Sequence, residues 1–200
     1  MINLGTLFWV LVAFFAVIGM MRGWTREVIA TSSLVLSLFA LNQFGFFIVS
    51  ILGATADTAG AQVDLITIRR QQFYILSGLH LLITFFGYQG PTFAGSRLSE
   101  RLRVRDSLQD KLLGLIVGAV NGYLILGTIW SFLEYQVTAG SGWVPLAADM
   151  GYPFDPNILV RPGPELELAS LIGRLPLPML SPYLPFLVVV VFLFVIVVMI

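Results

Sequence analysis

Five stretches of the chain are apolar for long enough to cross, or nearly cross, a bilayer, which takes about 20 residues of helix. They are Leu4–Met21, Val28–Ala54, Phe73–Phe93, Leu112–Leu133 and Leu184–Ile200. The second is longer than a span needs and holds Asn42-Gln43, so it predicts a tilted helix or one with an interfacial end. The last, LPFLVVVVFLFVIVVMI, is rich in β-branched residues, which favour strands in water. Lipid leaves the backbone no partner outside its own segment, so this stretch also predicts a helix. The first stretch has no basic residue before it and no small-residue cleavage pattern after it, and it predicts an uncleaved anchor.

The polar breaks are as informative. The shortest, MMRGWTRE (Met20–Glu27), packs Arg22, Gly23, Trp24, Arg26 and Glu27 between two apolar runs. Gly23 permits a sharp reversal, Trp24 suits headgroup depth and Thr25 is a fair N-cap for the helix that follows. In RLSERLRVRDSLQDKLLG (Arg97–Gly114), Arg97, Arg101 and Arg105 recur every fourth residue beside a leucine face. That pattern predicts a basic amphipathic helix on an anionic membrane surface, with a solvated or partner-binding helix as the alternative. Residues 136–182 hold eight of the ten prolines and predict mostly irregular chain. Within them, PELELASLIGRL places Leu168, Leu171, Ile172 and Leu175 on one face, a short helix resting on the membrane or on the bundle.

Composition agrees. Of 200 residues 58% are hydrophobic and 11% charged, and the mean hydropathy is +0.91. A soluble domain carries roughly 25% charged residues, so most of this surface faces lipid. The fold class is all-α, a polytopic helical bundle with a four-helix core and an additional C-terminal transmembrane helix. Its parts are a core over residues 1–135, a Pro-rich outer loop over 136–182 and a fifth helix over 183–200. A net charge of zero gives no general attraction to nucleic acid.

The position of charge sets orientation. Arg22, Arg26, Arg97, Arg101, Arg103, Arg105 and Lys111 fall in two short breaks on one side, whereas Arg69, Arg70, Arg161 and Arg174 are spread over longer loops on the other. Cytoplasmic loops are the basic ones. The N-terminus is therefore expected outside and the C-terminus in the cytoplasm.

Candidate chemistry is sparse. The chain has no cysteine and one histidine, His80, inside the third apolar stretch. An intramembrane ionisable group is a functional candidate, here a pigment or haem ligand. A neutral packing histidine is the simpler reading, and no cofactor or metal site is expected. Glu134, closing the fourth stretch, reads as an interfacial carboxylate in contact with water. No other acid falls within an apolar stretch, so neither an ion-coupled transporter nor a hydrolase finds its residues here, and the chain is not expected to be an enzyme. The clearest spacing is DKLLGLIVGAVNG, where Gly114, Gly118 and Gly122 line one helix face and admit a second backbone from this chain or from another copy. Asn121 beside them is placed to hydrogen-bond across helices.

These two motifs together resemble the colicin V production protein family of bacterial inner-membrane proteins. The turn supplies Gly19, Arg22, Gly23, Trp24, Arg26 and Glu27, and the glycine helix supplies Asp110, Lys111, Gly114, Gly118 and Gly122. The resemblance covers residues 1–135. Where members often carry an acid early in the first helix, this chain has Gly5-Thr6. The proline-rich loop and fifth helix look like additions. The resemblance implies location and fold more than function, and the leading reading is a non-enzymatic inner-membrane protein of this family supporting secretion or envelope homeostasis. The alternative is an accessory subunit of an energy-transducing or photosynthetic complex. Expected partners are the lipid bilayer, anionic lipid at residues 97–111, and other membrane proteins or further copies.

Overall fold

The computed structural model describes residues 4–55, 65–93, 108–139, 142–147, 149–162 and 167–199. The apolar stretches become α1 (Leu4–Arg22), α2 (Trp24–Ile51), α3 (Leu65–Phe93), α4 (Leu108–Glu134) and, at the end of the chain, α7 (Leu184–Met199). Among the described residues, four helical segments are long and apolar enough to cross a membrane. Three are α1, α2 and α4; the fourth runs from Pro176 to Phe194, through α6 (Pro176–Leu180) and a 3-10 turn (Ser181–Tyr183) into α7. Helix α3 has 29 residues, about 43 Å at 1.5 Å per residue, which is ample length. It is more polar because its apolar stretch holds Ser77, His80, Thr84, Tyr88 and Gln89, and because it begins eight residues earlier, taking in Arg69, Arg70, Gln71 and Gln72. The two arginines are therefore helical rather than part of a loop.

Helix α4 is the hub. It packs on α1, α2 and α3, and α2 also packs on α3 and α7. The main core gathers Leu34, Leu38 and Leu41 of α2, Leu76 of α3 and Leu124, Ile125 and Phe132 of α4. A second cluster joins Phe8 and Val12 of α1 to Trp130 and Leu133 of α4. Helix α2 is continuous through Asn42, whose Oδ1 accepts from Trp143 Nε1 (3.1 Å) and Ser181 Oγ (2.9 Å). That residue fastens later segments to α2 instead of ending it. The end comes at Gly53, φ 72°, where Gly53 N–H bonds Ser50 O and Ala54 N–H bonds Val49 O. This left-handed glycine closure satisfies two carbonyls that would otherwise be left open.

Residues 136–182 are more ordered than their prolines predict. Helix α4 leads straight into an antiparallel hairpin, β1 (Tyr135–Thr138) with β2 (Gly142–Pro145), in which Gln136 pairs with Val144. The expected amphipathic segment contains α5 (Glu167–Ile172), and Leu171, Ile172 and Leu175 pack with the second core cluster, on the bundle. Of the expected basic helix, 97–107 lie outside the described residues, while Leu108–Gly114 are the first turns of α4.

Candidate functional site

Helices α1 and α2 are joined by one residue. Gly23 has φ 83°, a conformation that glycine adopts without penalty, and it is the N-cap of α2. Thr25 therefore lies inside the helix and does not cap it. A carboxylate from α4 serves the first turn instead: Trp24 N–H donates to Asp110 Oδ1 at 3.1 Å. A β-carbon at position 23 would sit 2.6 Å from Asp110 Oδ2. The two sequence motifs thus meet here, glycine making room for the acid that caps its helix.

Below this junction the glycines of α4 lie against α1, in antiparallel order. A β-carbon on Gly118 would meet Phe15 O at 2.6 Å and Gly19 Cα at 2.8 Å, and one on Gly122 would meet Phe15 Cβ at 2.6 Å. Gly114 faces the Gly19 carbonyl. The backbone admitted by the glycine face belongs to this same chain.

On another side of α4, Glu27 is fully buried. The helix starts at Trp24, so this acid lies in the first turn of α2, not in a loop. Asn121 Nδ2 donates to Glu27 Oε2 at 2.8 Å and to the Glu27 carbonyl at 2.9 Å, and Tyr88 Oη donates to Oε2 at 3.1 Å. Arg22 Nε lies 3.2 Å from Glu27 Oε1, while its Nη2 donates to the Tyr88 carbonyl and its guanidinium stacks 4.4 Å over the Tyr88 ring. Thr31 Oγ1 donates to Asn121 Oδ1 at 2.7 Å. Four helices thus meet at one buried carboxylate. Asp110, at the start of α4, is buried as well.

The opposite end repeats the scheme. Glu134 is 1% exposed, so it is not a wetted interfacial acid. Arg161 reaches it with Nη2 at 2.8 Å and Nε at 3.0 Å, and Tyr152 donates to Oε1. Trp130 Nε1 donates in turn to Tyr152 Oη at 3.0 Å. Burial first, and then the neighbouring Glu134, raise the Tyr152 hydroxyl above its ordinary pKa, which keeps it a donor. With three buried acids, the expectation of no acid other than Glu134 within the spans is overturned.

His80 is fully buried, its Nδ1 2.8 Å from Ser37 Oγ and its ring edge-on to Phe132. Arg26 is half-buried and Lys111 exposed. Among the described residues no three His, Cys, Asp or Glu side chains gather as a metal would require. Sequence reasoning missed Tyr88, Thr31, Tyr152 and Arg161. For Tyr88 a signal exists: Ser77, His80, Thr84 and Tyr88 recur at helical spacing, a polar stripe on an otherwise apolar helix.

A bundle of long apolar helices with ionic groups sealed inside it defines a multi-pass membrane protein. The family can be stated more narrowly: the model of the Colicin V production protein family matches residues 4–145, more than half of the chain, and the chain belongs to that family. The match extends past residue 135 and takes in the hairpin. No curated protein and no solved structure matches the chain.

Proposed function

We propose that this protein is a non-enzymatic scaffold of the bacterial inner membrane that supports secretion or envelope homeostasis. Its N-terminus lies outside and its C-terminus in the cytoplasm. The observation that carries the reading is how the buried acids are used. Glu27 binds Asn121, Tyr88 and Arg22, and Glu134 binds Arg161 and Tyr152, so both carboxylates are committed to holding helices and loops together. A catalytic or transporting acid needs an open side for substrate. The orientation rests on the seven basic residues of the two short breaks. A cytoplasm-only reporter is active when fused after Arg105 and silent when fused after Asp155; the reverse would overturn the orientation.

Deletion of the gene in its host tests the role. The expected result is greater sensitivity to detergents and dyes, or weaker export of a secreted reporter, restored by the wild-type gene. A deletion strain indistinguishable from its parent in both assays would overturn the reading. The accessory-subunit reading is favoured by α7, where Phe186, Val189, Phe192 and Leu193 are exposed along one chain-terminal helix. Co-migration with a large coloured assembly in mild detergent would support that second reading and displace the first.

A further inference from the structure

Outside the bundle, residues 149–162 fold over the start of α3 and leave a cleft of about 690 Å³. Three arginines hold it open. Arg69 Nη1 donates to Gly151 O at 2.7 Å, Arg70 Nε to Pro153 O at 2.8 Å, and Arg161 Nη1 to Met150 O at 2.9 Å. Each bond fixes the loop backbone from a helix or from the Glu134 cluster, so the cleft is formed before anything enters it.

Its walls have two characters. Ile66, Tyr152, Phe154 and Leu159 make an apolar side. Arg70, Asp149 and Asp155 make a charged one. Arg161 also lines the cleft but is consumed by Glu134 and by the carbonyls of Leu146, Ala147 and Met150. Arg70 is exposed, and among the described residues only its Nε is engaged. Asp149 and Asp155 are exposed too, and among the described residues Asp155 Oδ1 accepts only the nearby Asn157 N–H. One cation with two unused nitrogens therefore shares the cleft with two carboxylates.

The level of the cleft matters. It opens beside Ile66 in the first turn of α3, and Tyr152 on its wall bonds Glu134, the last residue of α4. Ends of membrane helices lie at headgroup depth. Phe154 on the cleft wall packs edge-on against Phe73 and Tyr74, where the apolar stretch of α3 begins, so this is the side of the cleft that meets acyl chains.

We infer that this cleft binds a phospholipid with a zwitterionic headgroup bearing a primary ammonium, of the phosphoethanolamine type. Arg70 takes the phosphate, Asp149 and Asp155 take the ammonium, and an acyl chain runs past Phe154 toward Phe73 and the apolar stretch of α3. An anionic headgroup brings negative charge to two carboxylates and leaves them without a partner. A quaternary ammonium has no N–H to give them. The inference does not depend on the scaffold reading or on orientation.

Native mass spectrometry of the purified full chain tests it, after incubation with equal amounts of phosphatidylethanolamine, phosphatidylglycerol and phosphatidylcholine. The expected wild-type result is retention of phosphatidylethanolamine about tenfold over each of the others, the discrimination that one or two charge-assisted hydrogen bonds give. Arg70→Gln lowers retention of all three. The double variant Asp149→Asn/Asp155→Asn removes the preference and raises phosphatidylglycerol retention. Because the two variants move that lipid in opposite directions, a shared folding defect cannot produce the pattern. Equal retention of the three lipids by wild type, a preference for phosphatidylglycerol, or variants that behave as wild type would overturn the site.

Discussion

The two buried carboxylates are built alike and closed differently. Glu27 and Glu134 each meet an arginine and a tyrosine hydroxyl, with a side-chain N–H from α4 one step away: Asn121 directly on Glu27, Trp130 through Tyr152 on Glu134. Every partner of Glu27 lies within the family match over residues 4–145. Glu134 lies within it too, but Tyr152 and Arg161 come from beyond its end. A charge removed from water costs several kcal/mol unless paired, so the segment after the hairpin is part of the electrostatic closure of α4. It also supplies the packing there: Pro176 fits against Gly127, where a β-carbon would lie 2.6 Å from its ring. The turn end is a self-contained lock; the hairpin end needs a second piece of chain.

That difference makes the two arginines unequal. Arg161→Ala leaves Glu134 buried with its bond from Tyr152 and the charge of Arg69 nearby. It should destabilise by about 3 kcal/mol, the lower end for breaking a buried ion pair. Replacing both partners, as in Glu134→Leu/Arg161→Leu, should recover most of that loss. Thermal unfolding in detergent measures both. Failure of the double variant to recover would mean that Arg161 acts mainly through its bonds to the loop carbonyls of Leu146, Ala147 and Met150.

Gly118→Leu comes next, at about 1–3 kcal/mol for forcing bulk into a filled contact. Its neighbours are the backbones of Phe15 and Gly19, which cannot rotate aside as a side chain can. This variant loosens the turn end and tests whether the glycine seam, rather than charge, is its main fastening. A melting profile matching wild type would sink that idea. Arg22→Ala should then cost less than Arg161→Ala, about 1–2 kcal/mol, because Glu27 keeps its bonds from Asn121 and Tyr88. Equal losses for the two arginines would erase the contrast between the ends.

How much of this could be read from the sequence depends on separation along the chain. Apolar runs located the middles of the helices, because twenty greasy residues have one stable form in lipid. They did not locate the ends: Arg69 and Arg70 stay helical because they bond the 151–153 loop, a contact that hydropathy does not encode. The Gly114, Gly118 and Gly122 spacing announced a close backbone, and Gly23 announced a reversal. Neither identified Asp110 as the cap that joins them, 86 residues from Trp24. Glu27 looked like a loop residue since charge next to a turn is ordinarily wet. Its burial depends on Asn121 arriving from 94 residues away. The hairpin was hidden in a proline-rich segment where composition argues for irregular chain.

The smallest effect is expected at His80, midway between the two ends. The ring is fully buried against Phe132, and Ser37 Oγ holds Nδ1, so its place is inside the α2–α3 contact rather than on a surface where a pigment could lie. Glutamine offers both a donor and an acceptor to Ser37 and has a similar reach, so His80→Gln should cost no more than about 1 kcal/mol, one neutral hydrogen bond. Both the variant and the wild type should be colourless after purification. A visible absorption band in the wild type that disappears in His80→Gln would make the histidine an axial ligand and move the protein to the accessory-subunit reading. A colourless variant that nonetheless loses several kcal/mol would instead make the Ser37–His80 pair a third fastening, equal to the carboxylates at the two ends.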